Sequence, residues 1–124
     1  MGLRFIKIAV VYLFVGAVLG MYMGITQRFV LVPVHAHLAL LGWATLALAG
    51  IIYQLYPAAS TTRLARIHFW LHNVGLPVFM VALGLMLSGY ESAGPFVGIG
   101  ASIVLVGLAL FTTNVLLNVK PAAA

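Results

Sequence analysis

Two histidines stand one residue apart in the stretch VPVHAHLALLGW, residues 32–43, which is otherwise apolar. On an α-helix, residues i and i+2 lie about 200° apart, because about 3.6 residues make one turn. We therefore expect His35 and His37 to point to opposite sides of one helix. Such a pair cannot easily bind the same small ion, but it can contribute one ligand to each of two different sites.

A second pair, His68 and His72, has the i, i+4 spacing that places both rings on one face of a helix. Zinc proteases use this spacing with a Glu after the first His, whereas this chain reads HFWLH. A zinc protease is therefore not expected. His68 is expected to reach lipid headgroups, and His72 is a weaker cofactor-binding candidate. It could contact a cofactor edge, Gln54 or Thr45, or bind a second metal together with His68.

The composition is that of a membrane protein. Of the 124 residues, 65% are hydrophobic and 6% are charged, whereas soluble domains carry about 25% charged residues. The Lys and Arg residues are scattered, which argues against a nucleic-acid surface, so we expect the formal charge of +5 to reflect membrane topology. There is no cysteine, which excludes disulfides, thiolate metal sites and haem attached through CxxCH.

Four apolar runs are separated by short polar or Pro/Gly-containing stretches. A helix needs about 20 residues to cross the hydrocarbon layer, and only helices or closed barrels satisfy the backbone in lipid. The runs are long enough and show no alternation, so we predict an all-α integral membrane protein with a single four-helix transmembrane domain over residues 1–124. The predicted helices cover residues 3–27, 29 or 33 to 56, 62–88 and 95–119.

Local signals define several of these helix ends. Pro33 suits a first helical turn, where its missing N–H costs nothing, and the sequence STT at 60–62 offers N-caps for the third helix. In the first helix, glycines recur every fourth residue, at Gly16, Gly20 and Gly24. Such a stripe lets membrane helices approach closely. It is compatible with packing inside the chain, against the second or fourth helix, and with a contact between subunits.

Basic residues are distributed unevenly between the two ends of the predicted helices. If the helices alternate in direction, Arg28 and Glu91 lie at one end, and five basic residues lie at the other: Arg4, Lys7, Arg63, Arg66 and Lys120. Basic residues accumulate on the cytoplasmic side, so we expect an inner (cytoplasmic) bacterial membrane with both termini in the cytoplasm. His35 and His37 then lie near the outer face, and His68 lies near the inner face.

A haem fits the first histidine pair better than a small ion does. Ionisable side chains inside a membrane are rare and usually functional, and imidazole is a common axial ligand of haem iron. A planar apolar ring needs an oily slot, which small residues such as Ala39 and Gly42 could line. Arg28 lies near the same face and could neutralise the propionates. We therefore expect haem b, with Arg28 as a further cofactor-binding residue.

One chain cannot easily supply both axial ligands from His37 and His72. In an antiparallel hairpin that turns near residue 59, residue 37 lies level with residue 81 or 82. His72 is then about 14 Å away along the axis, at about 1.5 Å per residue. Two axial nitrogens are about 4 Å apart when each metal–nitrogen bond is about 2 Å. We therefore predict an oligomer in which His35 of one chain and His37 of its neighbour hold one haem.

At this point the sequence resembles a known family. VPVHAHLALLGW, followed after ATLALAGIIYQLYP by RLARIHFWLHNVGL, is similar to the second and third helices of the catalytic subunit of haem-copper oxidases and nitric oxide reductases. The resemblance covers about residues 28–85. In that family the second helix begins with a His that binds low-spin haem, and His35 matches that position. The family also has a HxH motif whose two imidazoles bind two different haems.

The resemblance implies an assembly as well as a cofactor. The family has twelve helices in three arcs of four, so a four-helix chain with one HxH motif implies a homotrimer with a haem b at every interface. A six-coordinate iron with both axial positions filled favours electron transfer, from quinol or to a redox partner. The chain departs from the family in lacking the copper ligands, the crosslinked Tyr and the carboxylate proton channel, so dioxygen reduction and proton pumping are not expected.

Two other functions remain open at the level of the sequence. The first is a haem-based gas-binding or sensing protein, in which one of the two histidines is not a ligand and the iron can take up nitric oxide or oxygen. The second is a non-enzymatic small membrane subunit without haem, whose histidines are structural or part of a proton or metal-ion path. Enzymatic turnover is undecided, and no catalytic residue is assigned.

Overall fold

Four long helices make up most of the chain over residues 1–122, which are the residues that the computed structural model describes, and this range contains no strand. All four are long and apolar enough to cross a membrane, which confirms the predicted all-α fold with four helices of membrane-spanning length and composition. Each helix begins and ends close to its predicted boundaries. The helices are α1 (Gly2–Thr26), α2 (Val32–Leu55), α3 (Arg63–Leu87) and α4 (Gly94–Asn118).

The helix ends have the local causes that the sequence predicts. Pro33 is the second residue of α2, where no helical N–H is required. The Thr62 hydroxyl caps α3 by accepting a hydrogen bond of 3.1 Å from the Ala65 amide. Between α2 and α3 the chain forms a short helix, Pro57–Ser60. Before α4 it forms a 3₁₀ turn, Glu91–Ala93.

The middle of α2 departs from α-helical geometry. Residues Leu38–Ala44 form a π-helix, so the amide of Thr45 donates to the carbonyl of Leu40 rather than to Leu41. The segment begins directly after His37. Single π-turns inside α-helices are uncommon and occur frequently at functional sites.

The helices pack as two antiparallel hairpins, α1–α2 and α3–α4. In the first, a Cβ on Gly2 would lie 2.5 Å from the Gly50 carbonyl oxygen, so the start of α1 lies against the end of α2. In the second, a Cβ on Gly100 would lie 2.5 Å from the Phe79 amide nitrogen. Gly2 and Gly100 have no side chain, which lets the helix backbones approach this closely. Close approach stabilises helix pairs in lipid, where dispersion contacts rather than the hydrophobic effect hold helices together.

The two hairpins meet along α2 and α3. We name the end of the bundle that contains residues 1–2 and the 56–62 connection the terminal end, and the opposite end, with connections 27–31 and 88–93, the far end. One buried apolar cluster around Phe5, Leu46 and Phe69 lies towards the terminal end, and another around Leu38 and Met80 lies towards the far end. The outer surfaces of α1 and α4 expose large apolar side chains. A bilayer or neighbouring chains would cover such surfaces.

Candidate cofactor-ligand histidines

His35 faces α1. Its Nδ1 atom lies 2.9 Å from the carbonyl oxygen of Gly16. The ring fills the space above a second glycine of the stripe, because a Cβ on Gly20 would lie 2.9 Å from His35 Cε1. Gly16 itself packs near Leu38, whereas no described atom lies within 4 Å of the Cβ position of Gly24. The first two glycines of the stripe therefore pack inside the chain, against α2.

His37 faces the other side of α2. Its ring meets that of Phe79 on α3 edge to face, with centroids 5.1 Å apart. Its Nδ1 atom lies 2.6 Å from the carbonyl oxygen of Pro33, one turn earlier in α2. The opposite directions expected from the i, i+2 spacing are therefore present, with His35 on the α1 side and His37 on the α3 side.

Hydrogen bonding determines which ring nitrogen of each histidine carries the proton. A carbonyl oxygen only accepts, so in both rings Nδ1–H is the donor and the lone pair of the neutral imidazole is on Nε2. Over residues 1–122, neither Nε2 atom has a hydrogen-bond partner, and both side chains are half-buried. Histidines that bind a metal through Nε2 commonly donate Nδ1–H to a backbone carbonyl in this way.

Arg28 lies at the far end, the end at which α2 begins with both histidines. Its side chain is exposed and lines a cleft of about 300 Å³ together with Tyr22, Leu31 and Ser88. The guanidinium is therefore available to an anionic group that approaches this end of the bundle. The hydrogen bonds of His35 and His37 within the described range go to the Gly16 and Pro33 carbonyls and not to Arg28.

The small residues after the HxH motif do not all line one open slot. Gly42 is buried, and a Cβ there would lie 2.6 Å from Cγ of Tyr12 on α1. The expectation that Gly42 borders a cofactor slot is therefore wrong, because Tyr12 of the same chain already fills the space. Ala39, in contrast, is exposed.

His68 and His72 are fully buried where the two hairpins meet. His68 Nδ1 lies 3.0 Å from the Tyr53 hydroxyl, and His72 Nε2 lies 2.9 Å from the carbonyl oxygen of Leu41, in the π-helical segment. The sequence suggested that His68 reaches lipid headgroups. This expectation is wrong, because Phe5 and Phe111 cover both faces of its ring. His72 bonds to neither Gln54 nor Thr45.

The same contacts separate His37 from His72. His37 lies beside Phe79 and His72 bonds to Leu41, so the two rings are at different depths. In the part of the chain that the structure describes, no group of three or more His, Cys, Asp or Glu side chains comes together as a metal site.

Sequence reasoning missed two polar residues in the terminal half. Tyr53 is 1% exposed and bonds to His68. Asn114 is fully buried, donates to the Ala59 carbonyl at 2.9 Å and accepts from Asn118. A signal for Tyr53 existed, because an antiparallel hairpin that turns near residue 59 places residue 53 within about one helical turn of the level of residue 68.

Comparison with the models of known protein families, with curated proteins and with solved structures finds no match for this chain.

Proposed function

We propose that this protein is a membrane haem b protein that transfers electrons, with one haem held between His35 of one chain and His37 of its neighbour. The observation that supports this proposal most strongly is the shared state of the two imidazoles. Each donates Nδ1–H to a backbone carbonyl and leaves Nε2, with its lone pair, without a partner within the described residues. Within one chain the two imidazoles point in different directions but have the same hydrogen-bonding arrangement. Each can therefore supply one ligand to a haem at a different interface, and these interfaces are equivalent.

The opposite directions of the rings favour a cofactor shared between chains. His35 lies on the α1 side of α2, and His37 lies on the α3 side. Two nitrogens that bind one iron must approach it from opposite faces of one macrocycle, which two rings pointing away from each other cannot do. Both imidazoles are only half-buried by their own chain, so a head-to-tail ring of chains would bring the exposed part of His35 in one copy to the exposed part of His37 in the next and repeat that interface until the ring closes.

The resemblance to haem-copper oxidases supports a ring of three. Three copies of a four-helix chain supply the twelve helices of that family's catalytic subunit, and the HxH motif then occurs at each of three interfaces. We infer a homotrimer in a bacterial inner membrane, with both termini cytoplasmic by the positive-inside rule. Quinol or a protein redox partner would exchange the electron.

The chain's own residues would determine how the cofactor behaves. When bound, haem supplies an iron centre that cycles between the ferrous and ferric states. Gly16 and Pro33 orient the imidazoles through their carbonyls, and Arg28 at the far end would offset the negative charge of the propionates. With both His35 and His37 bound to the iron, no coordination position would remain for oxygen or nitric oxide, which would favour electron transfer.

Spectroscopy of the purified protein tests the proposal. We expect a Soret band, sharp α and β bands on reduction, one haem b per chain by the pyridine haemochrome assay, and a native mass of three chains. Carbon monoxide added to the reduced protein should leave the spectrum unchanged at first. An immediate shift would instead support the gas-binding alternative, and colourless protein would support a subunit without haem.

A further inference from the structure

The second histidine pair has a feature that the proposed haem site does not use. His68 and His72 are both 0% exposed, yet His68 Nε2 and His72 Nδ1 have no hydrogen-bond partner among residues 1–122. A buried polar atom left without a partner costs about 1–3 kcal/mol. Two such atoms on neighbouring turns of one helix are therefore available to a shared ligand.

The two rings are placed to share that ligand. They lie on the same face of α3, their centroids are 5.6 Å apart and their planes are nearly perpendicular, at 82°. This separation is close to that of two imidazoles on one ion through metal–nitrogen bonds of about 2 Å each. Gly107 of α4 borders the pair, since a Cβ there would lie 3.7 Å from His68 Cδ2.

The other nitrogen of each ring already has the partner that a metal-ligating histidine needs. His72 Nε2–H donates to the Leu41 carbonyl at 2.9 Å, which leaves the lone pair of that ring on the unpartnered Nδ1. His68 Nδ1 lies 3.0 Å from the Tyr53 hydroxyl, whose oxygen can accept a hydrogen bond from Nδ1–H, so that the lone pair of the ring is on Nε2. Hydrogen bonds from the remote nitrogen orient ligating histidines and raise their basicity.

We propose that His68 and His72 bind a single monovalent copper ion, as a two-coordinate site inside the bundle. The absence of a third His, Cys, Asp or Glu ligand within the described residues rules against zinc, which takes four ligands in its structural sites. Imidazole nitrogen suits copper. A single positive charge also costs far less to bury than a double one in an aromatic pocket lined by Phe5 and Phe111.

Metal binding to the detergent-solubilised protein tests this site directly. The protein is titrated anaerobically with Cu(I) in competition with the chromophoric chelator bicinchoninate, and separately with Ag(I), which is redox-inert. We expect one ion per chain, and loss of that ion in His68→Leu and in His72→Leu. Asn73→Leu, next to His72 and half-buried, is the matched control and should bind one ion.

A further variant separates the orientation of the ligand from the ligand itself. Tyr53→Phe keeps both imidazoles but removes the hydroxyl at His68 Nδ1. We expect one ion per chain with affinity lowered about 10- to 100-fold, as for other losses of a ligand's hydrogen-bond partner. Unchanged affinity in this variant would contradict the role assigned to Tyr53 and with it the ligand state of His68.

Two results of the titrations would overturn the copper site. One is wild-type protein that binds no Cu(I) or Ag(I), as expected if a water molecule joins the two nitrogens. The other is an ion that His68→Leu or His72→Leu still binds. Should these variants fail to fold, X-ray absorption of copper-loaded wild type decides. Two nitrogen neighbours support the site, and three or more ligands contradict it. Repeating the titration on His35→Leu, which should lack haem, separates this proposal from the haem proposal.

Discussion

The imidazole of His35 is held by the neighbouring helix, because its Nδ1 atom donates to the carbonyl oxygen of Gly16 at 2.9 Å. In an unbroken α-helix that carbonyl also accepts from Gly20, so it uses its second lone pair for the histidine. The glycine stripe of α1 therefore does more than allow close packing. Gly20 leaves the space that the imidazole ring occupies. The carbonyl of Gly16 provides the acceptor that fixes the tautomer of this candidate haem ligand.

Gly20 should be intolerant of a side chain. In Gly20→Ala the new Cβ would lie 2.9 Å from His35 Cε1, so the ring must move away from its position over α1. We expect haem affinity to fall about 10-fold or more, as when the surroundings of a metal ligand are disturbed. Gly24→Ala is the control, since no described atom lies within 4 Å of its Cβ position. Equal haem content in both variants would show that the position of His35 is unimportant.

Gly42 should be needed for stability rather than for cofactor binding. A methyl group there would lie 2.6 Å from Tyr12 Cγ, and overpacking of this kind costs about 1–3 kcal/mol. We expect Gly42→Ala to lower the free energy of unfolding in detergent, measured by loss of helical circular dichroism as SDS is added. Gly98→Ala, with open space around its Cβ position in the described chain, should unfold like wild type. A stable Gly42→Ala would mean that α1 and α2 pack differently.

The cap of α3 should contribute measurably to stability. Thr62→Ala removes the hydroxyl that accepts from the Ala65 amide at 3.1 Å, and loss of an N-cap costs about 1 kcal/mol. The same SDS titration measures this change. Thr61→Ala is the control, because the hydroxyl of Thr61 is exposed and contacts only the Pro57 carbonyl; we expect a change within about 0.5 kcal/mol. If the two variants behave alike, the cap contributes nothing.

Arg28 should act on the cofactor through charge alone. Its side chain is exposed, and an exposed ion pair contributes at most about 1 kcal/mol. We therefore expect Arg28→Leu to weaken haem affinity by up to about fivefold and to make it less sensitive to salt. Arg63→Leu, exposed at the terminal end, should leave both properties unchanged. A salt dependence that survives in Arg28→Leu would assign the effect to other basic residues.

The four helices were predictable because lipid imposes one simple requirement, a long apolar run with an internally bonded backbone. Pro33 and Thr62 then set helix starts through effects that act within one turn. The opposite directions of His35 and His37 also followed from the sequence, because about 3.6 residues per turn fixes their angle whatever lies around them.

The surroundings of His68 and Gly42 were not predictable in the same way. Which side of a membrane helix faces its neighbours depends on packing between distant residues, and apolar side chains suit lipid and protein interior alike. The sequence therefore left His68 near the surface, where Tyr53 and Phe5 in fact cover it. The π-helical turn at Leu38–Ala44, which contains the acceptor for His72, left no signal that we recognised.

Co-expression of two ligand variants tests most directly whether each haem is shared between chains. His35→Leu and His37→Leu alone should each lack haem, because every interface loses one ligand. In randomly mixed trimers, about one interface in four combines an intact His35 with an intact neighbouring His37, so co-expression should restore about a quarter of the wild-type haem per chain. Mixed trimers without haem, or a single variant that keeps its full content, would contradict an interface shared between His35 and His37.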